Sequence, residues 1–93
     1  MKDIILVKME KILKETRPVK YQDLIMQGSI NDILEMSSQE IANQEEIIEK
    51  QLKEKHQRPD TQNYTEIAQY ENMIRNLKME LIDNMIVEKV KEM

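Results

Sequence analysis

Cysteine is absent from the 93 residues, so disulfide staples, thiolate nucleophiles and cysteine-ligated metal sites are all excluded. Tryptophan and phenylalanine are also missing, and the only aromatic side chains are Tyr21, Tyr64 and Tyr70. Without large aromatic anchors the interior must be built from Ile, Leu and the eight Met. One glycine, Gly28, cannot form a phosphate-cradling loop. No long hydrophobic run occurs: Lys8, Glu10 and Lys11 interrupt the apolar opening from Met1 to Leu13, so neither a signal-peptide core nor a membrane span is expected. A cysteine-free chain without such segments is expected in the cytoplasm.

What remains is 40% apolar and 34% charged residues, too apolar for an obligately disordered chain and suited to long helices with narrow buried stripes. The first helix is predicted over Lys2 to Glu15, with Ile5, Met9, Ile12 and Leu13 on one face. Pro18 pushes Arg17 out of the helical region and sits well in a first turn, so a second helix is predicted over Pro18 to Gln27, with Leu24 and Ile25 as core candidates beside Tyr21. Gly28 suits a left-handed helix end, and Ser29 or Asn31 can cap the next helix. A long third helix is predicted over 29–56, where Leu34, Ile41 and Ile48 recur every seven residues, with Ser37 and Gln44 as polar flaws in the seam. Glu46–Lys50 and Glu49–Lys53 are spaced to pair on its outer face. The pattern stops around Pro59. Asn63 and Glu66 resemble a capping box and open a fourth helix over 63–92, which shows Ile67, Tyr70, Ile74, Leu77 and Leu81 and continues through Ile82, Ile86 and Val90, with Ile67, Ile74 and Leu81 again recurring every seven residues.

The expected fold is therefore all-α. A long antiparallel hairpin of helices 29–56 and 63–92 has two shorter N-terminal helices packed against it. Residues 1–93 form one helical domain, with 1–28 a short helical hairpin and 29–93 the long one.

Charge is unevenly distributed. Residues 1–20 carry Lys2, Lys8, Lys11, Lys14, Arg17 and Lys20 against three acids, a net +3, and residues 21–93 carry −7, for −4 in all. The basic first helix is read as lying against the acidic remainder of its own fold, with an acidic partner or nucleic acid as the other reading. His56 is the only histidine and has no co-ligand type beside it, and the paired carboxylates repeat with surface periodicity. No catalytic residue, metal site or cofactor is predicted, and no enzymatic activity. Tyr21 to Glu40 could be drawn as a helix–turn–helix about Gly28, but its second helix carries Asp32, Glu35 and Glu40 and no cation, against the electrostatics of phosphate contact. Most Met residues fall on buried stripes; Met36 and Met79 fall off them and are candidates for exposed contacts.

The stretch Glu15-Thr16-Arg17-Pro18, followed by Tyr21, Leu24, Gly28, Ile30 and Leu34, resembles the opening of TnpV-like proteins, accessory proteins carried on transposons and other mobile elements. Met73-Ile74-Arg75, with Glu80-Leu81-Ile82 and Met85-Ile86, is similar to that family's last helix. The resemblance implies a mobile-element origin and a non-transposase accessory role, with Arg17, Pro18, Tyr21, Gly28 and Arg75 as motif positions, and carries no active residue with it. Arg17 and Tyr21, four apart, are expected to stack or to fix the junction between the short and long helices.

These readings converge on a non-enzymatic protein-binding accessory protein. Its sharper form is an inhibitor that covers a basic surface of a host nucleic-acid machine such as a CRISPR nuclease, using Glu45, Glu46 and Glu49 with Met36 and Met79. The alternative is a small DNA-binding regulator acting through the basic first helix. A protein partner and a homodimer are expected, and a membrane partner is not.

Overall fold

The computed structural model describes residues 1–93 and is all-helical, 84% of residues lying in helices and none in strands. Five helices occur in order: α1 (Lys2–Thr16), α2 (Pro18–Gln27), α3 (Ile30–Ala42), α4 (Glu45–Lys55) and α5 (Tyr64–Glu92). The molecule is a rod of 56 × 21 × 18 Å with a radius of gyration of 16.6 Å. A compact domain of this length has about 12 Å, so the elongation is pronounced. α5, spanning about 43 Å at 1.5 Å per residue, is its spine.

Three contacts set the chain directions. Glu40 pairs with Lys89, Glu45 with Lys78 at 3.0 Å, and the Tyr70 hydroxyl donates to the His56 carbonyl at 2.6 Å. As one number rises the other falls, so α3–α4 and α5 run antiparallel. α1 lies between the far ends of that pair. It packs most extensively on α3 and then on α5, with Lys2 paired to Glu35 and Lys8 to Asp83 at 3.0 Å. One continuous core draws on all five helices: Ile5, Met9 and Leu13 from α1, Tyr21 and Leu24 from α2, Leu34 and Ile41 from α3, Ile48 and Leu52 from α4, and the inner face of α5.

The helix predicted over 29–56 is two helices. Asn43 and Gln44 keep right-handed backbone angles, but the Gln44 N–H donates three residues back to the Ile41 carbonyl at 2.9 Å, and the Asn43 side chain accepts from Gln39 at 2.7 Å. This tightened turn interrupts the helix where its neighbour changes, since α3 serves α1 and α4 serves α5. Ser38 donates to the Leu34 carbonyl of its own helix at 2.6 Å. Ser37 is not a flaw in a seam: it and Ser38 are both buried on α3, the helix on which α1 packs most extensively.

The seam on α5 also departs from a seven-residue repeat. Its buried positions are Tyr70, Ile74, Ile82, Ile86 and Val90, with Leu81 largely exposed. Steps of four advance the stripe by about 40° each at 3.6 residues per turn, or roughly 200° from Tyr70 to Val90. The stripe winds because α5 faces α4 at its start and α1 with α3 at its end. Ile25, expected in the core, is exposed, leaving Leu24 and Tyr21 as the buried face of α2.

The Gly28 turn matches expectation. With φ 71° and ψ 15°, Gly28 is left-handed, its N–H reaches the Ile25 carbonyl and the Ser29 N–H reaches the Leu24 carbonyl, both at 3.0 Å, the two bonds of a Schellman motif. No atom lies within 4 Å of where a Cβ would stand. Gly28→Ala is therefore expected to cost about 1–2 kcal/mol through backbone strain alone, and Gly28→Asn clearly less, in paired chemical denaturation curves. Equal costs for Ala and Asn would point to lost packing instead. Ser29 precedes α3, but its hydroxyl makes no capping bond and is buried without a partner. Asn63 does cap α5, accepting from the Thr65 N–H at 2.9 Å.

Candidate functional site

Four of the motif residues, Arg17, Pro18, Tyr21 and Gly28, sit at helix junctions. The Arg17 guanidinium does not stack on Tyr21; it donates to the carbonyls of Val90 at 2.9 Å and Lys91 at 3.3 Å. It thereby satisfies carbonyls in the last turn of α5, where a cation also suits the helix dipole. Lys14 takes the place over the Tyr21 ring, 5.5 Å from its centre. The Tyr21 hydroxyl donates to Glu10 at 3.0 Å, and that bond, with some burial and the carboxylate's charge, raises the phenol above its ordinary value. Pro18 fills the first turn of α2. Arg17 and Tyr21 thus fix the junction between the short helices and the spine. Arg75 is exposed and makes no ion pair with Glu71.

The candidate contact residues divide. Met36 is 66% exposed, as expected, but Met79 packs partly buried against the core because the α5 stripe winds under it. Glu45 is committed to Lys78, and both side chains are mostly buried, so it is not an open surface carboxylate. Glu49 pairs with Lys53 at 3.6 Å, whereas Glu46 and Lys50 form no ion pair. Glu46 and Glu49 border only an open hollow shared with Lys50, Lys53 and Glu54, which has no apolar floor.

A better-formed site was not visible from charge runs. A groove of about 630 Å³ lies between α3–α4 and α5, with no residue of α1 or α2 in its walls. One wall presents Ile41, Gln44, Ile48 and Gln51, the other Leu81, Met85, Glu88 and Glu92. Each set is spaced three or four residues apart, so each wall is one helical stripe. Ile41 and Ile48 show only their edges, while Leu81 is 43% exposed. The Glu40–Lys89 pair crosses from α3 to α5 at one end and raises the Lys89 ammonium above its ordinary value, chiefly through the bond to Glu40. Asn84 joins Gln44 and Gln51 as a third side-chain amide on the groove, and none of the three hydrogen-bonds within the chain. The heptad signal at Ile41 and Ile48 marked one wall. Gln44, read from the sequence as a flaw, is a groove residue.

No group of three or more His, Asp or Glu side chains is placed to hold a metal ion, and no helix is long and apolar enough to cross a membrane. No family model, curated protein or solved structure matches the chain.

Proposed function

We propose that this chain is a non-enzymatic protein-binding module that engages its partner through the groove between α3–α4 and α5. The observation that carries the reading is the groove itself: two parallel helical stripes with an apolar floor and no third helix covering it. Its lining sets four apolar residues among seven polar or charged ones, and an apolar centre with a polar rim is the usual anatomy of a protein interface. The resemblance to TnpV-like accessory proteins supports a mobile-element origin. An inhibitor of a host nucleic-acid machine is the sharper form of the same reading, and the excess of carboxylates after Lys20 supports it.

A photo-crosslinking residue at position 81 tests this, with one at Tyr64, on exposed backbone away from the groove, as control. The expected result is a protein crosslinked from position 81 alone that also binds the purified chain and is lost on Leu81→Asp. Reconstituted binding that Leu81→Asp leaves unchanged would remove the groove from the mechanism.

The DNA-binding reading keeps one observation in its favour, that Lys11, Lys14 and Lys20 form no ion pair within the chain. Gel shifts across a salt series separate the two: a regulator binds duplex DNA with steeply salt-dependent affinity, and the module proposed here does not bind it.

A further inference from the structure

The groove is chemically polarised. Ile48 and Leu81 lie toward its end nearer the Pro59 turn, with Met85 next along α5 and the three free amides beside them. One end carries Glu88 and Glu92, three and seven residues beyond Met85, or about 4.5 and 10.5 Å along the helix axis. Glu92 has no ion-pair partner, and Glu88 has only the exposed Lys91 at 3.7 Å, a contact worth little in water. The C-terminal turn of α5 lies at the same end, but Arg17 already occupies its carbonyls, so the negative charge there rests on Glu88 and Glu92. Glu40 contributes no free charge there because Lys89 neutralises it.

Resting on the protein-binding reading above, we propose that the occupant is a single cationic amphipathic helix of a partner protein. Its apolar side chains, at i, i+3 and i+7, enter between Ile48 and Leu81, and Lys or Arg one to two turns further along meet Glu88 and Glu92. A helix suits the site because both walls are helical stripes at near-heptad spacing, so ridges of an incoming helix can lie along their groove. Gln44, Gln51 and Asn84 can each donate and accept, and so offer bonds to polar side chains on the incoming helix. Glu88 and Glu92 attract a cationic segment, and sedimentation decides whether the basic α1 of a second copy can be that segment.

The probe is a helical peptide of roughly four turns, with Leu at i, i+3 and i+7 followed by paired Arg, titrated into the intact chain and followed by methyl NMR and fluorescence anisotropy. A peptide of the same composition with the charged end reversed is the control. Expected are shifts at Ile48, Leu81 and Met85, weaker binding of the reversed peptide, at least tenfold loss of affinity with Leu81→Asp, and about tenfold loss with Glu88→Lys plus Glu92→Lys. Unchanged circular dichroism and a cooperative melt well above the assay temperature certify that the variants fold. Shifts confined to other faces, equal binding of both peptides, or indifference to either variant would overturn the proposal. So would sedimentation showing self-association that Leu81→Asp dissolves, which would make the second copy the occupant. If position 81 still crosslinks and reconstitutes a partner while the peptide fails, the protein-binding reading stands and the cationic helix does not. If both fail, the groove reading falls with it.

Discussion

Replacing Ile82 by alanine should lower stability by about 2–5 kcal/mol, whereas the same change at its neighbour Leu81 should cost about 1 kcal/mol or less. Ile82 is fully buried, in the part of α5 that faces α1 and α3, and Leu81 is nearly half exposed on the wall of the groove. Truncating Ile82 removes methyl groups from a packed interior and leaves a void that two bracing helices prevent from collapsing. Truncating Leu81 removes atoms that already touch water. For a domain of this size each kcal/mol moves the melting temperature by about 4–8 °C, so Ile82→Ala should melt at least about 8 °C lower and Leu81→Ala only a few degrees. The adjacent pair is decisive because a strict seven-residue seam through Ile67, Ile74 and Leu81 predicts the opposite order. A larger loss at Leu81 than at Ile82 would mean that the stripe on α5 does not wind and that the groove wall is misplaced.

That contrast shows what the sequence makes legible. Helix class follows from periodicity, and the glycine turn and the Asn63 cap follow from local chemistry that each residue carries with it. Ile5, Met9 and Leu13 form an unambiguous stripe because α1 keeps the same neighbours along its length. The α5 stripe is ambiguous because its neighbours change from α4 to α1 and α3, and a helix that serves two partners shows no single apolar face. The interruption at Asn43 and Gln44 has the same origin. No residue there forbids a helix, so only the change of partner reveals it. The groove was half legible. Ile41 and Ile48 announced one wall, but Gln44 counted as a defect until α5 stood opposite it. Acidic pairs such as Glu45–Glu46 were conspicuous in the sequence, yet Glu45 proved to be spent on Lys78. A charge's availability depends on its neighbours in space.

Ser38→Leu should destabilise the chain by about 1–3 kcal/mol, while Ser38→Ala should be neutral to within about 0.5 kcal/mol. Ser38 is fully buried on α3, the helix against which α1 packs most extensively. Its hydroxyl bonds only to carbonyls of its own helix, Leu34 at 2.6 Å and Glu35 at 3.1 Å. Those carbonyls already accept helical amide bonds, so alanine leaves no buried group unpaired and keeps the volume nearly unchanged. Leucine adds three carbons at this buried position and must push α1 outward or bend off its rotamer. In a two-helix seam through Leu34, Ile41 and Ile48, with Ser37 and Gln44 as its other positions, Ser38 lies beside the seam, and leucine there would cost nothing. A loss on Ser38→Leu therefore distinguishes a core completed by α1 from a seam closed by α3–α4 and α5 alone. Chemical denaturation of Ser38→Ala and Ser38→Leu beside the parent chain reads it directly. A midpoint unchanged or raised by leucine would remove α1 from its place between α3 and α5.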